Sequence, residues 1–269
     1  MSNITNYRPP ASATFDPTCT THTSHRPGIA TPVVRGRCRW FAVLPVVVLL
    51  AVFTAQSADG SSLGPRRWDV AQDFRTAPNQ VNPSPDRWGD TAVWSYMYSP
   101  TGEQNPAAYK PLLNFGADKF DVQGLESWWG TNVSNNDDLL PAVGINATGH
   151  EVSPSTDPSV HWPAGDVLVH PWRGQPVVIG WRSPVRGSVF VTGSVSLAQQ
   201  PNCGDGIDWA FDLGARTLAH GTIRQLQSNN WHLTVRLSKG KSAYLVVAPR
   251  ANISCDSTLV RLMIKGGQQ

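Results

Sequence analysis

The sequence predicts an all-β domain, a two-sheet antiparallel β-sandwich of the jelly-roll type, preceded by one N-terminal apolar helix and a disordered tail. Only 15% of the 269 residues are charged, against about a quarter in an ordinary soluble protein, which disfavours a helical bundle or a coiled coil. The 23 Gly and 22 Pro supply turns at close intervals. Several segments alternate apolar and polar residues at period two, as half-buried antiparallel strands do.

A basic tail opens the chain over residues 1–39. It is rich in Thr, Ser and Pro and holds few apolar residues, so we expect it to be disordered. Its charged residues are five arginines and a single acid: Arg8, Arg26, Arg35, Arg37, Arg39 and Asp16. The rest of the chain carries nearly equal numbers of basic and acidic side chains. It therefore offers no basic platform for nucleic acid.

An uncharged, apolar run follows over residues 40–58. Three arginines stand directly before it, so the positive-inside rule predicts a cytoplasmic tail and an extracytoplasmic C-terminal domain. Two interpretations stay open. A signal anchor would hold the protein in the cell membrane as a single-pass chain, whereas a signal peptide cut near Gln56 would release it. The length of the tail favours the anchor. Residues 59–66 are predicted to form a linker.

The strands are expected over residues 67–269, which we predict to be one domain with about ten of them. The clearest alternation covers residues 188–197, 207–213, 231–237 and 260–264. Further strands are expected at residues 68–74, 92–98, 141–146, 166–170, 177–181 and 243–248. The sequence shows neither an internal repeat nor a helical period longer than two turns. The pattern therefore favours a sandwich over a solenoid or a propeller.

Two cysteines of this domain, Cys203 and Cys255, are expected to form a disulfide, because thiols pair in the oxidising compartments outside the cytoplasm. A shared metal site is the disfavoured alternative, since neither cysteine has a second Cys or a His at a metal-ligand spacing.

The order of several short motifs resembles a family of exported bacterial β-sandwich domains. Its pattern runs from an Asp-Phe start through a Trp-Ser-Tyr-Gly block and a His-Pro-Gly hairpin to a Gly-Asp-x-x-Asp segment. The matching residues are Asp73-Phe74, Asn82-Pro83, Trp94-Ser95-Tyr96, His170-Pro171, the turn from Trp181 to Gly187, and Gly204-Asp205 with Asp208. Met97 and Trp172 stand where the pattern has Gly. The resemblance implies an architecture similar to galactose-binding-like and carbohydrate-binding jelly rolls, and it implies no activity.

Motifs that would mark an enzyme are missing from the sequence, which contains no G-x-S-x-G, H-E-x-x-H, Walker or G-x-G-x-x-G pattern. We therefore expect a domain that is not an enzyme and requires no cofactor. A glycosidase would need two facing carboxylates. Glu126, beside two tryptophans, offers one of them, and its alternative role is that of a solvated loop residue. A glycan-active hydrolase is accordingly the third hypothesis for function.

Three aspartates lie near the predicted disulfide in the sequence: Asp205, Asp208 and Asp256. Ca²⁺ takes about six to eight oxygen ligands, so one interpretation is a structural calcium site at this end of the sandwich. In the other interpretation, Asp205 caps a turn and Asp208 faces water.

Five tryptophans fall in Gly-, Pro- and Asn-rich stretches where no predicted strand buries them: Trp88, Trp128, Trp129, Trp162 and Trp172. Exposed aromatic rings stack on the C–H faces of sugars while polar side chains bond the hydroxyls. We predict ligand contacts at Trp128, Trp129 and Trp172, joined by Glu126 and Asn132 in a loop over residues 125–132. The alternative is that these rings are buried between the loops and the sheets of the sandwich.

The leading hypothesis is a non-catalytic, membrane-tethered extracytoplasmic module that binds a glycan or another component of the cell envelope. Its expected partners are that ligand and, through residues 40–58, the membrane. The second hypothesis is a surface module for protein interaction or structure, with the same fold and no sugar site. Exposure and clustering of the predicted tryptophan rings separate the two hypotheses.

Overall fold

Two antiparallel sheets face each other across a common core, as the alternating segments predict. The computed structural model describes residues 65–76, 81–117, 122–130, 140–154, 158–199, 203–224 and 227–266. All of them belong to one of the two compact units of the chain, Ala58–Gln269. The predicted tail, apolar run and most of the linker lie outside the described residues.

The elements of the described residues are one helix and a series of strands. In chain order they are β1 (Arg67–Asp69), α1 (Val70–Thr76), β2 (Trp94–Tyr98), β3 (Lys110–Pro111), β4 (Asn114–Gly116), β5 (Leu125–Trp129), β6 (Ala142–Asn146), β7 (Val167–His170), β8 (Val177–Arg182), β9 (Gly187–Leu197), β10 (Ile207–Leu213), β11 (Arg216–Ile223), β12 (Ser228–Leu237), β13 (Ser242–Pro249) and β14 (Thr258–Gly266).

The larger sheet has the strand order β12-β9-β14-β7-β6-β5-β4. Strand β14 pairs with β9 along its whole length, and its other edge pairs first with β7 and then with β1. The smaller sheet has the order β11-β10-β13-β8-β2-β3. Because every pairing is antiparallel, most strands can present one face to the core and one to solvent.

The core lies between the sheets and is rich in valine, leucine, isoleucine and tryptophan. Trp68 of β1 and Trp181 of β8 meet there with their ring centroids 5.4 Å apart. A second apolar cluster covers part of the larger sheet on its outer side, where Val160 and Trp162 pack with Leu125 and Leu168. The rest of that outer face, over β12, β9 and β14, carries mainly polar side chains together with Phe190 and Met263.

The predicted strand at residues 68–74 is only partly correct, because β1 ends at Asp69 and α1 follows. The carboxylate of Asp69 caps the helix, and its Oδ1 accepts hydrogen bonds from the backbone N–H groups of Ala71 (3.2 Å) and Gln72 (3.3 Å). This cap satisfies two of the amides that a helix start leaves without partners. A short helix therefore begins where the apolar pattern suggests a strand.

The predicted disulfide between Cys203 and Cys255 is confirmed, with a Cα–Cα distance of 5.6 Å. Within the described part of the chain, no helix has the length and hydropathy that a membrane crossing requires.

Candidate functional site

Trp128, the first predicted ligand contact, is a core residue and not an exposed loop residue. It lies in β5, is only 6% exposed, and packs on Phe115 (4.8 Å between ring centroids) and Tyr96 (6.3 Å). Trp129 follows in the same strand and is 8% exposed. The prediction that both rings project into solvent from a loop is wrong, because strand β5 lies inside a sheet whose two faces are both covered here.

The other predicted contacts do not gather around these rings. Glu126 stands two residues before Trp128 on the same face of β5, and burial raises the pKa of its carboxyl group. Trp172 is partly buried at a tight turn closed by backbone hydrogen bonds to Gln175, with the guanidinium of Arg173 5.3 Å above its ring. Asn132 lies outside the described residues.

The three aspartates of the predicted calcium site lie in different environments. The Oδ2 of Asp205 accepts the backbone N–H of Ala251 at 2.7 Å, whereas Asp208 is exposed and accepts the hydroxyl of Thr222 at 2.5 Å. Asp256 is fully buried, and burial together with repulsion from Asp205 raises its pKa to about 8. Among the described residues, no three His, Cys, Asp or Glu side chains are grouped to hold a metal ion. The structure therefore does not assemble the predicted three-aspartate site.

An open groove of about 610 Å³ crosses the outer face of the larger sheet. We call it the outer groove. It runs over β12, β9 and β14 and is bounded by β1, α1 and the turn at Gly165. Its polar lining includes Arg75, Asp166, Thr192, Ser194, Asn230 and His232.

Strand register brings the lining of the outer groove together. Thr192 of β9 pairs with His232 of β12, and Ser194 pairs with Asn230. On the other edge of β9, Ser194 pairs with Arg261 of β14. Because side chains alternate along a strand and neighbouring strands lie about 4.8 Å apart, these residues share one outward face. Their core-facing neighbours on β9, among them Val191 and Val195, are buried, which fixes that orientation.

Both carboxylates of the outer groove are held in ion pairs. Asp69, the cap of α1, accepts a hydrogen bond of 3.0 Å from Arg67. Asp166 receives two hydrogen bonds from Arg261, of 3.2 Å from Nε and 2.9 Å from Nη2. This bidentate geometry is the favoured one between guanidinium and carboxylate.

Four hydrogen-bonding side chains of the groove are left for a ligand. Thr192, Ser194, Asn230 and His232 make no side-chain hydrogen bond within the described ranges. One aromatic ring borders them: Phe190 is 41% exposed, and its centroid lies 6.2 Å from that of His232. Hydroxyl, amide and imidazole groups thus lie beside an accessible ring.

None of these four residues is among the ligand contacts predicted from the sequence. Alternation along β9 and β14 already places Thr192, Ser194 and Arg261 outward, which is correct. The missing information is the strand order, since β12 and β14 flank β9 although they are distant from each other in the chain.

Comparison with known proteins gives matches among solved structures only. No protein-family model matches the chain, and no curated protein matches its sequence. The resemblance to an exported bacterial family therefore stays a prediction.

Several solved carbohydrate-binding modules are similar to part of the chain. A CBM36-1 domain of a multidomain xylanase from the hindgut metagenome of Trinervitermes trinervoides gives a TM-score of 0.27 at 12% identity, covering 40% of this chain and 81% of that one. A CBM51 from Clostridium perfringens, in complex with methyl-galactose, gives 0.29 at 12% identity and covers 54% of this chain and 99% of its own. A CBM36 in complex with calcium and xylotriose gives 0.25 at 8% identity, covering 39% and 82%.

Proposed function

We propose that this protein is a non-catalytic carbohydrate-binding module that holds a glycan in the outer groove. One observation carries the proposal. Within the described residues, four hydrogen-bonding side chains without partners lie on one face of the groove, next to the exposed ring of Phe190.

The chemistry of these groups suits a sugar. Each sugar hydroxyl both donates and accepts hydrogen bonds, and the hydroxyls of Thr192 and Ser194 and the amide of Asn230 do the same. The ring of Phe190 offers an apolar face to the C–H groups of a pyranose. A few convergent polar groups beside an apolar surface are the usual composition of a small-ligand site.

The carboxylates of the groove favour binding over hydrolysis. A glycosidase needs one carboxyl group that stays protonated and a second that is free to act as base or nucleophile. Asp69 and Asp166 are each held by an arginine through hydrogen-bonded ion pairs. Neither carboxylate is therefore free to face a sugar as an acid, base or nucleophile.

The proposal is tested with the full chain in a detergent that contains no sugar, on a glycan array and on insoluble polysaccharides. Phe190→Ala and His232→Ala are expected to weaken retention about ten-fold, a loss of about 1.4 kcal/mol, and to leave the melting temperature unchanged because both side chains point outward. Matched controls are Trp88→Ala and His220→Ala, which remove an exposed ring and an exposed imidazole away from the groove.

Two results would count against this function. Equal retention of the groove variants and the unchanged chain would place the sugar elsewhere. A folded chain that retains no glycan would favour the alternative of a surface module for protein interaction.

We also propose that the domain is extracytoplasmic and tethered to the membrane by residues 40–58. The uncharged run behind three arginines supports this, and the Cys203–Cys255 disulfide suits an oxidising compartment. Protease added to intact cells should digest the domain and spare the tail. Mass analysis of the mature chain separates an anchor from a cleaved signal, and protection of the domain in intact cells would contradict the proposal.

A further inference from the structure

The outer groove is lined by more guanidinium groups than carboxylate groups. Its lining contains three arginines and two aspartates. Arg67 pairs with Asp69, and Arg261 pairs with Asp166. Arg75 has no ion pair within the described part of the chain. The groove therefore keeps a positive charge available to a ligand.

The guanidinium of Arg75 lies over the turn at Gly165. Its Nη1 lies 3.4 Å, and its Cζ 3.9 Å, from the point where a Cβ would stand on Gly165. That turn is fixed in place, because the backbone N–H of Gly165 donates a hydrogen bond of 2.8 Å to the carbonyl of Asn146. The guanidinium thus packs against the groove wall.

The nearest acid of that turn does not neutralise Arg75. Asp166 follows Gly165 directly, but both of its carboxylate oxygens accept hydrogen bonds from Arg261. A guanidinium is planar, always charged at physiological pH and weakly hydrated, and it binds oxyanions through two parallel hydrogen bonds. An unpaired arginine beside free hydroxyl, amide and imidazole groups is a combination that recognises an anionic group carried on a polyhydroxylated molecule.

We propose that the ligand of the outer groove is an acidic glycan, whose carboxylate or sulfate group pairs with Arg75 while Thr192, Ser194 and His232 bond its hydroxyls. This inference rests on the proposed function. Carboxylate and sulfate share the oxyanion chemistry that a guanidinium recognises, so the experiment carries one arm for each.

The carboxylate arm measures binding of the full chain to polygalacturonate, alginate, glucuronoxylan and hyaluronan, each beside the same polymer with its carboxyl groups reduced to alcohols. The sulfate arm compares dextran sulfate with dextran and carrageenan with its desulfated form. The unchanged chain is expected to bind at least one acidic polymer about ten-fold more tightly than its neutral partner, and 0.5 M NaCl should reduce the difference, since salt screens exposed charges.

Arg75→Gln is expected to abolish that preference, so that the acidic polymer is bound no more tightly than its neutral partner. The matched control is Arg216→Gln, because Arg216 is also exposed and unpaired within the described residues but lies on β11 of the other sheet. Arg75→Lys is expected to recover only part of the preference, since an ammonium cannot form the two parallel bonds.

Two outcomes would overturn the inference, and they are distinguishable. Equal binding to acidic and neutral polymers, unaffected by Arg75→Gln, would exclude the acidic ligand and leave the proposed glycan module standing. A folded chain that retains none of these polymers and no neutral glycan of the array would remove both.

Discussion

Buried carboxylates in this domain are paired with specific donors. Asp73 is fully buried and accepts hydrogen bonds from the indole of Trp94 (2.8 Å) and from Nε of Arg87 (2.7 Å). Asp86, 5% exposed, accepts the indole N–H of Trp68 at 2.6 Å. These pairs orient two core tryptophans, because each indole has one donor and that donor is satisfied.

Asp256 departs from this rule. It is fully buried, and neither of its carboxylate oxygens has a hydrogen-bond partner within the described residues. Burial and the nearby Asp205 raise its pKa from 3.8 to about 8. A carboxyl group in such a place is retained as the neutral acid, since an unpaired buried charge is costly.

From the raised pKa of Asp256 we expect the free energy of unfolding to depend on pH. Between about pH 4 and pH 8 the folded protein keeps a proton on Asp256 that the unfolded chain releases, so the free energy of unfolding falls as pH rises through that window. Asp256→Asn removes this titration. The stability of the variant relative to the unchanged chain is therefore expected to rise by several kcal/mol between pH 5 and pH 9, because only the unchanged chain loses stability as this proton is released.

Urea unfolding at pH 5, 7 and 9 measures the effect. The control is Asp208→Asn, which alters an exposed aspartate of the same region and should leave the pH slope unchanged. Parallel pH profiles for Asp256→Asn and the unchanged chain would show that Asp256 is ionised in the folded state.

At the scale of strands, two glycines make room for a stacked pair of tryptophans. Trp209 of β10 and Trp231 of β12 stack with centroids 5.8 Å apart and planes 15° from parallel. A Cβ on Gly221 would come within 2.8 Å of the Trp209 ring, and one on Gly193 would overlap the ring of Trp231. The stack joins β12, the edge strand of the larger sheet, to β10, the second strand of the smaller sheet, so these glycines allow the two sheets to pack together on that side.

Gly193→Ala is therefore expected to lower the free energy of unfolding by about 2 kcal/mol or more, because the added methyl displaces a packed indole. Thermal or urea unfolding measures it. Ser194→Ala, one residue further along β9 on the outer face, should change stability by less than about 0.5 kcal/mol. Equal stability of the two variants would mean that Trp231 moves aside without cost.

Strand β5 shows which elements could be predicted from the sequence. Segments such as residues 207–213 have one core face and one wetter face, so alternation reveals them. Strand β5 has Trp128 against the core on one face and Leu125 under Val160 and Trp162 on the other, so it shows no alternation. The sequence of this strand therefore led to the prediction of an exposed loop. The outer groove was hidden for a different reason, since it depends on strand order.

For the whole molecule, the disulfide lies where the chain crosses between the sheets. Cys203 follows β9 of the larger sheet and precedes β10 of the smaller one. Cys255 follows β13 of the smaller sheet and precedes β14 of the larger one. Strands β9 and β14 are neighbours, as are β10 and β13, so the bond joins two adjacent crossings at one end of the sandwich.

From the position of the disulfide we expect it to stabilise the folded domain as a whole. We do not expect it to be needed for the shape of the outer groove. The bond spans a sequence separation of 52 residues, for which the chain-entropy model gives about 4 kcal/mol. Replacing both Cys203 and Cys255 with serine is expected to lower the free energy of unfolding by up to about that amount. Glycan affinity of the folded fraction should stay unchanged, because the groove residues are held by their own strand pairings.

Urea unfolding with and without dithiothreitol provides the comparison. Reductant should lower the stability of the unchanged chain to that of the double variant and have no further effect on the variant, which also controls for the cysteines of the tail, Cys19 and Cys38. If reductant destabilised both proteins equally, the effect of reductant would not be due to the Cys203–Cys255 bond. If the variant lost glycan affinity while it stayed folded, the crossing would have to position β9 and β14 for binding, and the sheet pairings alone would not be enough to form the groove.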